Sequence, residues 1–121
     1  MEDEFRISYK ANGRILEVVL EGVATDDNAK EIQRRILEII NAHSHKFRLI
    51  DLRALKGRTS TVFTYYQVMD FPTDNIPTRA AIIDLPENKD FYTFHETAAV
   101  NRGFPWRYFN DADEARAWLL K

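Results

Sequence analysis

Phe47-Arg-Leu-Ile-Asp-Leu-Arg53 runs into Ala54-Leu-Lys-Gly57 and then Arg58-Thr-Ser-Thr61, and the rest of the chain can be laid against this stretch. An apolar run ends in charge, turns at a glycine and meets a hydroxyl cluster that opens a helical pattern. The near-continuous apolar character of Phe47 to Leu52 is that of a strand covered on both faces. Thr59 or Ser60 caps the following helix, in which Val62, Phe63, Tyr66 and Met69 are expected to face inward. That helix stops before Pro72, whose ring disfavours helix in the residue ahead of it.

Upstream, Phe5, Ile7 and Tyr9 alternate with Arg6, Ser8 and Lys10, the period of a half-buried strand. Asn12-Gly13 is a hairpin signal, and Ile15 to Leu20 forms the returning strand, with Leu16, Val18 and Leu20 on one side. Thr25-Asp-Asp-Asn28 reads as a helix start with a hydroxyl cap. Ala29, Ile32, Ile36, Ile39 and Ile40 then recur at helical spacing to about Ala42. Downstream, Arg79 to Asp84 is a second buried-strand pattern, and Glu87 to Arg102 a helix ending at Gly103. Trp106 to Phe109 is a last strand, after which Asn110 caps a helix with Ala115, Trp118 and Leu119 inward. The order β-β-α-β-α-β-α-β-α implies a five-stranded, mostly parallel α/β sheet with four helices and an antiparallel strand from the opening hairpin.

At 121 residues the chain is expected to be a single domain over 1–121. Lys plus Arg number 17 against 19 Asp plus Glu, so a net charge of -2 argues against nucleic-acid binding. Cysteine is absent, which excludes disulfides, thiolate metal sites and cysteine nucleophiles. The acidic Met1-Glu-Asp-Glu4 start is unlike a secretory signal, and no apolar run approaches the roughly 20 residues of a membrane span. A cytoplasmic protein without a transmembrane segment is expected.

Three pieces of sequence carry a family resemblance: Ile15-Leu-Glu-Val-Val-Leu-Glu-Gly22 leading into Thr25, Leu49-Ile-Asp-Leu-Arg53, and Arg107-Tyr-Phe-Asn-Asp-Ala-Asp-Glu-Ala-Arg-Ala-Trp-Leu119. Together they resemble the SpoIIAA-like domains of the STAS superfamily, the stand-alone bacterial proteins related also to CRAL-TRIO lipid carriers. The resemblance implies a β-α superhelix and a regulatory, non-enzymatic role. In the anti-sigma antagonists of that superfamily, a serine at the start of the helix after the third strand is phosphorylated within an Asp-Ser-Ser-Gly run. The matching stretch here is Thr59-Ser60-Thr61-Val62, with the hydroxyls present and the acid and glycine absent.

The candidate sites follow from chemistry at that helix start and along the helix. Arg58, Thr59, Ser60 and Thr61 combine a helix N-terminus with a guanidinium, a case for anion binding or a phospho-switch. Capping alone, worth about 1 kcal/mol, also explains these residue types. Phe63, Tyr65, Tyr66, Met69 and Phe71 are many large side chains for one short helix, a ligand pocket lining or a partner or homodimer surface. His95, beside the apolar stripe of its helix, joins the ligand or partner surface candidates; a general-base role finds no nucleophile paired to it by spacing, and a surface position is expected. His43 and His45 lack a third ligand, so neither metal nor cofactor is expected. Asp111, Asp113 and Glu114 are accounted for by a first helical turn. The expected function is a protein-interaction module docking through the second helix and the loop before it. The alternative is a carrier or sensor of a small apolar ligand or lipid.

Overall fold

The computed structural model describes residues 4–121. The strands are β1 (Phe5–Asn12), β2 (Ile15–Val23), β3 (Phe47–Lys56), β4 (Arg79–Ile83) and β5 (Trp106–Phe109). The helices are α1 (Ala29–Asn41), α2 (Thr61–Met69), α3 (Lys89–Asn101) and α4 (Ala112–Leu119), with a single 3-10 turn, Pro86–Asn88, leading into α3. The sheet has the order β1-β2-β3-β4-β5, antiparallel between β1 and β2 and parallel thereafter. β3 is therefore central and covered on both faces, as its apolar run requires.

Alternation along the strands divides the core in two. Leu16, Val18 and Leu20 pack with Ile32 and Ile40 of α1, whereas Ile15, Leu49, Ala81 and Ile83 pack with Ala115 and Leu119 of α4. A third cluster, Val68, Ala99 and Phe104, joins the region of α2 to α3. Glu17 is buried on the α4 side, where it accepts bonds from Arg116 Nε at 2.8 Å and Nη2 at 3.0 Å. That guanidinium holds the Glu17 carboxyl below its usual range despite burial, which pushes the other way. The last helix is thus tied by charge as well as by packing.

Several expected boundaries shift by a few residues. The hairpin loop is Gly13-Arg14, since Asn12 pairs with Ile15. Positive φ falls on Gly13 alone, the II′ pattern with glycine first, and Asn12 instead donates its side chain to Glu17. Thr25 does not cap α1: it and Asn28 bond each other's backbone N–H groups in a turn, and the helix begins after Asn28. Asp111, not Asn110, caps α4, accepting from the N–H groups of Asp113 and Glu114.

The inward stripe expected for α2 is a larger correction. Val62, Tyr66 and Met69 are exposed, and the buried residues are Thr64 and Val68. Thr64 can be buried because its hydroxyl meets the Ser60 carbonyl at 2.8 Å and the Thr59 hydroxyl.

Gly57 ends β3 at φ +77, and a Cβ there would stand 2.4 Å from the Ala24 carbonyl oxygen. Gly57→Ala is expected to destabilise the fold by about 2 kcal/mol or more, against about 1 kcal/mol for Gly13→Ala, whose surroundings are open. Urea unfolding of the two variants checks the order; equal midpoints would contradict the packing account of Gly57.

Candidate functional site

Arg48, Ile50 and Leu52 of β3 point to the face covered by α1, α2 and α3, beside Ala80 and Ile82 of β4 and Trp106 and Tyr108 of β5. The three helices arch over this half of the sheet without filling it. A cavity of ≈ 200 Å³ remains, walled mainly by aliphatic and aromatic side chains, among them Ile36, Val68, Phe71 and Phe91. Its polar groups are Arg48 towards the amino ends of the strands, Arg58 and Thr59 towards their carboxyl ends, His95 and Tyr108 on the α3 side, and Gln33 and Gln67 between α1 and α2.

Arg58 is consumed by the fold. Its Nη2 and Nε reach the Asp84 carboxylate at 2.7 and 3.2 Å, and its remaining N–H groups serve the carbonyls of Leu52, Leu55 and Gly57. Asp84, with no exposure, also accepts from Leu85 N at 2.7 Å and Asn88 Nδ2 at 2.9 Å. Sequence reasoning pointed Arg58 at an anion; the guanidinium instead turns inward to Asp84, a partner 26 positions on that no local pattern indicates.

Arg48 differs. It is only 4% exposed, its Nη2 donates to Asn75 Oδ1 at 3.0 Å, and its Nε has no hydrogen-bond partner. Burial pushes its pKa down, with no carboxylate to offset it. Sequence analysis passed over Arg48 and Asn75. The available signal was a lone arginine inside a run read as covered on both faces.

His95 lies against the cavity, not on the surface as expected. Its Nδ1 is 2.6 Å from the Tyr108 hydroxyl, and its ring stacks on Phe91. Burial lowers the His95 pKa to about 4 and raises that of Tyr108 well above its ordinary value. Both groups are therefore neutral at pH 7, and one proton is shared along the Nδ1–hydroxyl contact, its donor set by the imidazole tautomer. An imidazole of this kind is a weak base.

At the start of α2, Ser60 Oγ accepts from Phe63 N at 3.3 Å. The Ser60 N–H itself donates to Asp26 Oδ1 at 3.0 Å, so an internal carboxylate already stands at the helix N-terminus. Thr59 bonds Thr64 and lines the cavity, while Ser60 and Thr61 are exposed. The outer face of α2 presents Val62, Tyr65, Tyr66 and Met69, exposed by 67, 47, 60 and 44%. Beside it, a shallow groove between α1 and α2 is lined by Phe63, Tyr66, Lys30 and Asp70. Gln33 and Gln67, bonded at 3.3 Å, border both groove and cavity. The structure thus separates the candidates: Arg58, Thr59 and His95 line the cavity, whereas Tyr65, Tyr66 and Met69 face out. His43 has its Nδ1 2.6 Å from the Ile39 carbonyl at the end of α1, and no metal-binding group of three ligands occurs among the described residues.

Asp84→Asn leaves the Arg58 charge buried and uncompensated, and is expected to cost about 3 kcal/mol in denaturant unfolding; a loss under about 0.5 kcal/mol would contradict the structural role. His95 should titrate near pH 4 by NMR, where a midpoint near 6.5 would contradict its burial. Between those values the unfolded chain binds more protons than the folded one, so this group makes stability fall as pH drops through that window.

No protein-family model matches the chain, and no curated protein is detectably similar to it. Solved structures are. An anti-sigma factor antagonist from Mycobacterium paratuberculosis superposes with a TM-score of 0.64 at 13% identity, covering 97% of this chain and 95% of that one. An uncharacterised DUF3478-family protein with a SpoIIAA-like fold from Shewanella loihica PV-4 gives 0.61 at 20% identity, covering 98% of each chain. The chain superposes on these neighbours over nearly its whole length, and its fold is the SpoIIAA-like fold.

Proposed function

We propose that the chain is a non-enzymatic, STAS-like regulatory module that docks on a protein partner through α2 and the loop before it. The observation that carries this reading is the outer face of α2, where Val62, Tyr65, Tyr66 and Met69 stand exposed on one short helix. The groove beside them, bordered by α1, offers a concave seat next to that apolar row. An anti-sigma factor antagonist among the structural neighbours supports a partner that is a protein. Ser60 and Thr61 form the rim of this surface. A phosphate on Ser60 would stand beside Asp26 and be repelled by it, so the rim is read as a contact surface and not as an anion receptor.

A second reading is favoured by a different observation. The apolar cavity beneath α2 suits a small ligand, making the module a carrier or sensor of an apolar molecule. Gln33 and Gln67 border both spaces, so the groove and the cavity share a wall.

Photo-crosslinking from position 66 in the native cell, with position 9 on β1 as control, should trap a specific partner at 66 alone. The purified partner is then expected to bind Val62→Ser/Tyr66→Ser at least about tenfold more weakly, a loss of about 1.4 kcal/mol. Equal affinity removes α2 as the docking element, and crosslinks only between copies assign the patch to a homodimer. For the second reading, native mass spectrometry of freshly purified protein should show bound mass that leaves on denaturation; a clean unliganded peak counts against it.

A further inference from the structure

Arg48 is a permanent cation held 4% exposed in the wall of an apolar cavity, and no carboxylate of the described residues pairs with it. Its polar partner is the side-chain carbonyl of Asn75, a neutral group, and its Nε–H is buried with nothing to bond. A buried charge in this state is costly, and natural proteins rarely leave one without a counter-ion or ligand. The other guanidinium of the cavity is the control: Arg58 has Asp84 and three backbone carbonyls.

We propose that the cavity binds a small amphipathic carboxylate, a medium-chain fatty acid or single-ring organic acid, with its carboxylate on Arg48 and its apolar body against the sheet. This rests on the second reading above, that the cavity takes a ligand, and names the ligand's chemistry. The free Nε–H and a neighbouring guanidinium N–H form the fork that a carboxylate accepts side by side. One uncompensated positive charge calls for one negative charge. A phosphate ester, at about -2, would bring more charge and more acceptor oxygens than this one cation and the amide of Asn75 can satisfy. The remaining walls near the sheet, Ile50, Ile82 and Trp106, offer hydrocarbon to a hydrocarbon tail. The volume of ≈ 200 Å³ bounds the tail. It exceeds the roughly 150 Å³ cavity known to hold benzene, and falls short of what a long-chain lipid needs.

Titration calorimetry with octanoate and with 1-octanol tests the proposal. The wild-type chain is expected to bind octanoate at least about tenfold more tightly than 1-octanol, the worth of one charge-assisted pair. Arg48→Met should erase that preference while still binding 1-octanol, and Arg48→Lys should retain part of it. If the wild type binds both equally, or Arg48→Met keeps the preference, the carboxylate assignment fails and the apolar-ligand reading survives. If neither molecule binds the wild type, both fall. Should Arg48→Met not fold, the wild-type preference for acid over alcohol decides alone.

Discussion

The ion pair between Arg58 and Asp84 is the interaction on which the rest of the arrangement depends. It joins the end of β3, the loop into α2, the end of β4 and the turn that starts α3, because the two side chains together engage Leu52, Leu55, Gly57, Leu85 and Asn88. Such a pair, nearly free of water, contributes little net stability compared with an apolar replacement, yet removing one partner is costly. Its effect is positional. It fixes where α2 leaves the sheet, and so how far the helix stands above β4 and β5. The space left beneath is the cavity, and the face turned away is the exposed apolar row.

Two arginines in the wall of one cavity have thus received opposite treatment. At the carboxyl ends of the strands the fold has built a full set of acceptors around Arg58. At the amino ends Arg48 has the amide of Asn75 and an unpaired Nε. A side chain that merely completes a core is satisfied by that core. The contrast separates the residue that shapes the site from the one left with an unpaired N–H in its wall. His95 and Tyr108, both neutral and bonded to each other, close the α3 side without adding charge.

Most of the architecture was legible from alternation and helical spacing. The apolar run of β3, the isoleucines of α1 and the inward residues of α4 each point one way: Leu49, Ile32, Ile40, Ala115 and Leu119 are buried, while Ile50, Ile36, Ile39 and Trp118 are partly so. Caps were legible only to within a few residues, because Thr25, Asn28, Asn110 and Asp111 are all competent caps and tertiary bonds choose among them. The face of α2 was not legible. Its residues are apolar nearly all the way round, so periodicity carries little phase, and the buried threonine is admitted by hydroxyl bonds that composition cannot reveal. The site was half legible. The stretch from Phe47 to Thr61 does hold its two arginines, but their partners Asn75 and Asp84 lie 27 and 26 positions away. Which arginine is paired and which is left over is decided by the sheet.

A crystal structure of the protein purified from its own cells tests the central claim most directly. The account predicts elongated density beneath α2, with one end against the Arg48 guanidinium and the Arg58–Asp84 pair unchanged. A collapsed cavity, or an Arg48 side chain swung out to solvent over ordered water, would contradict it.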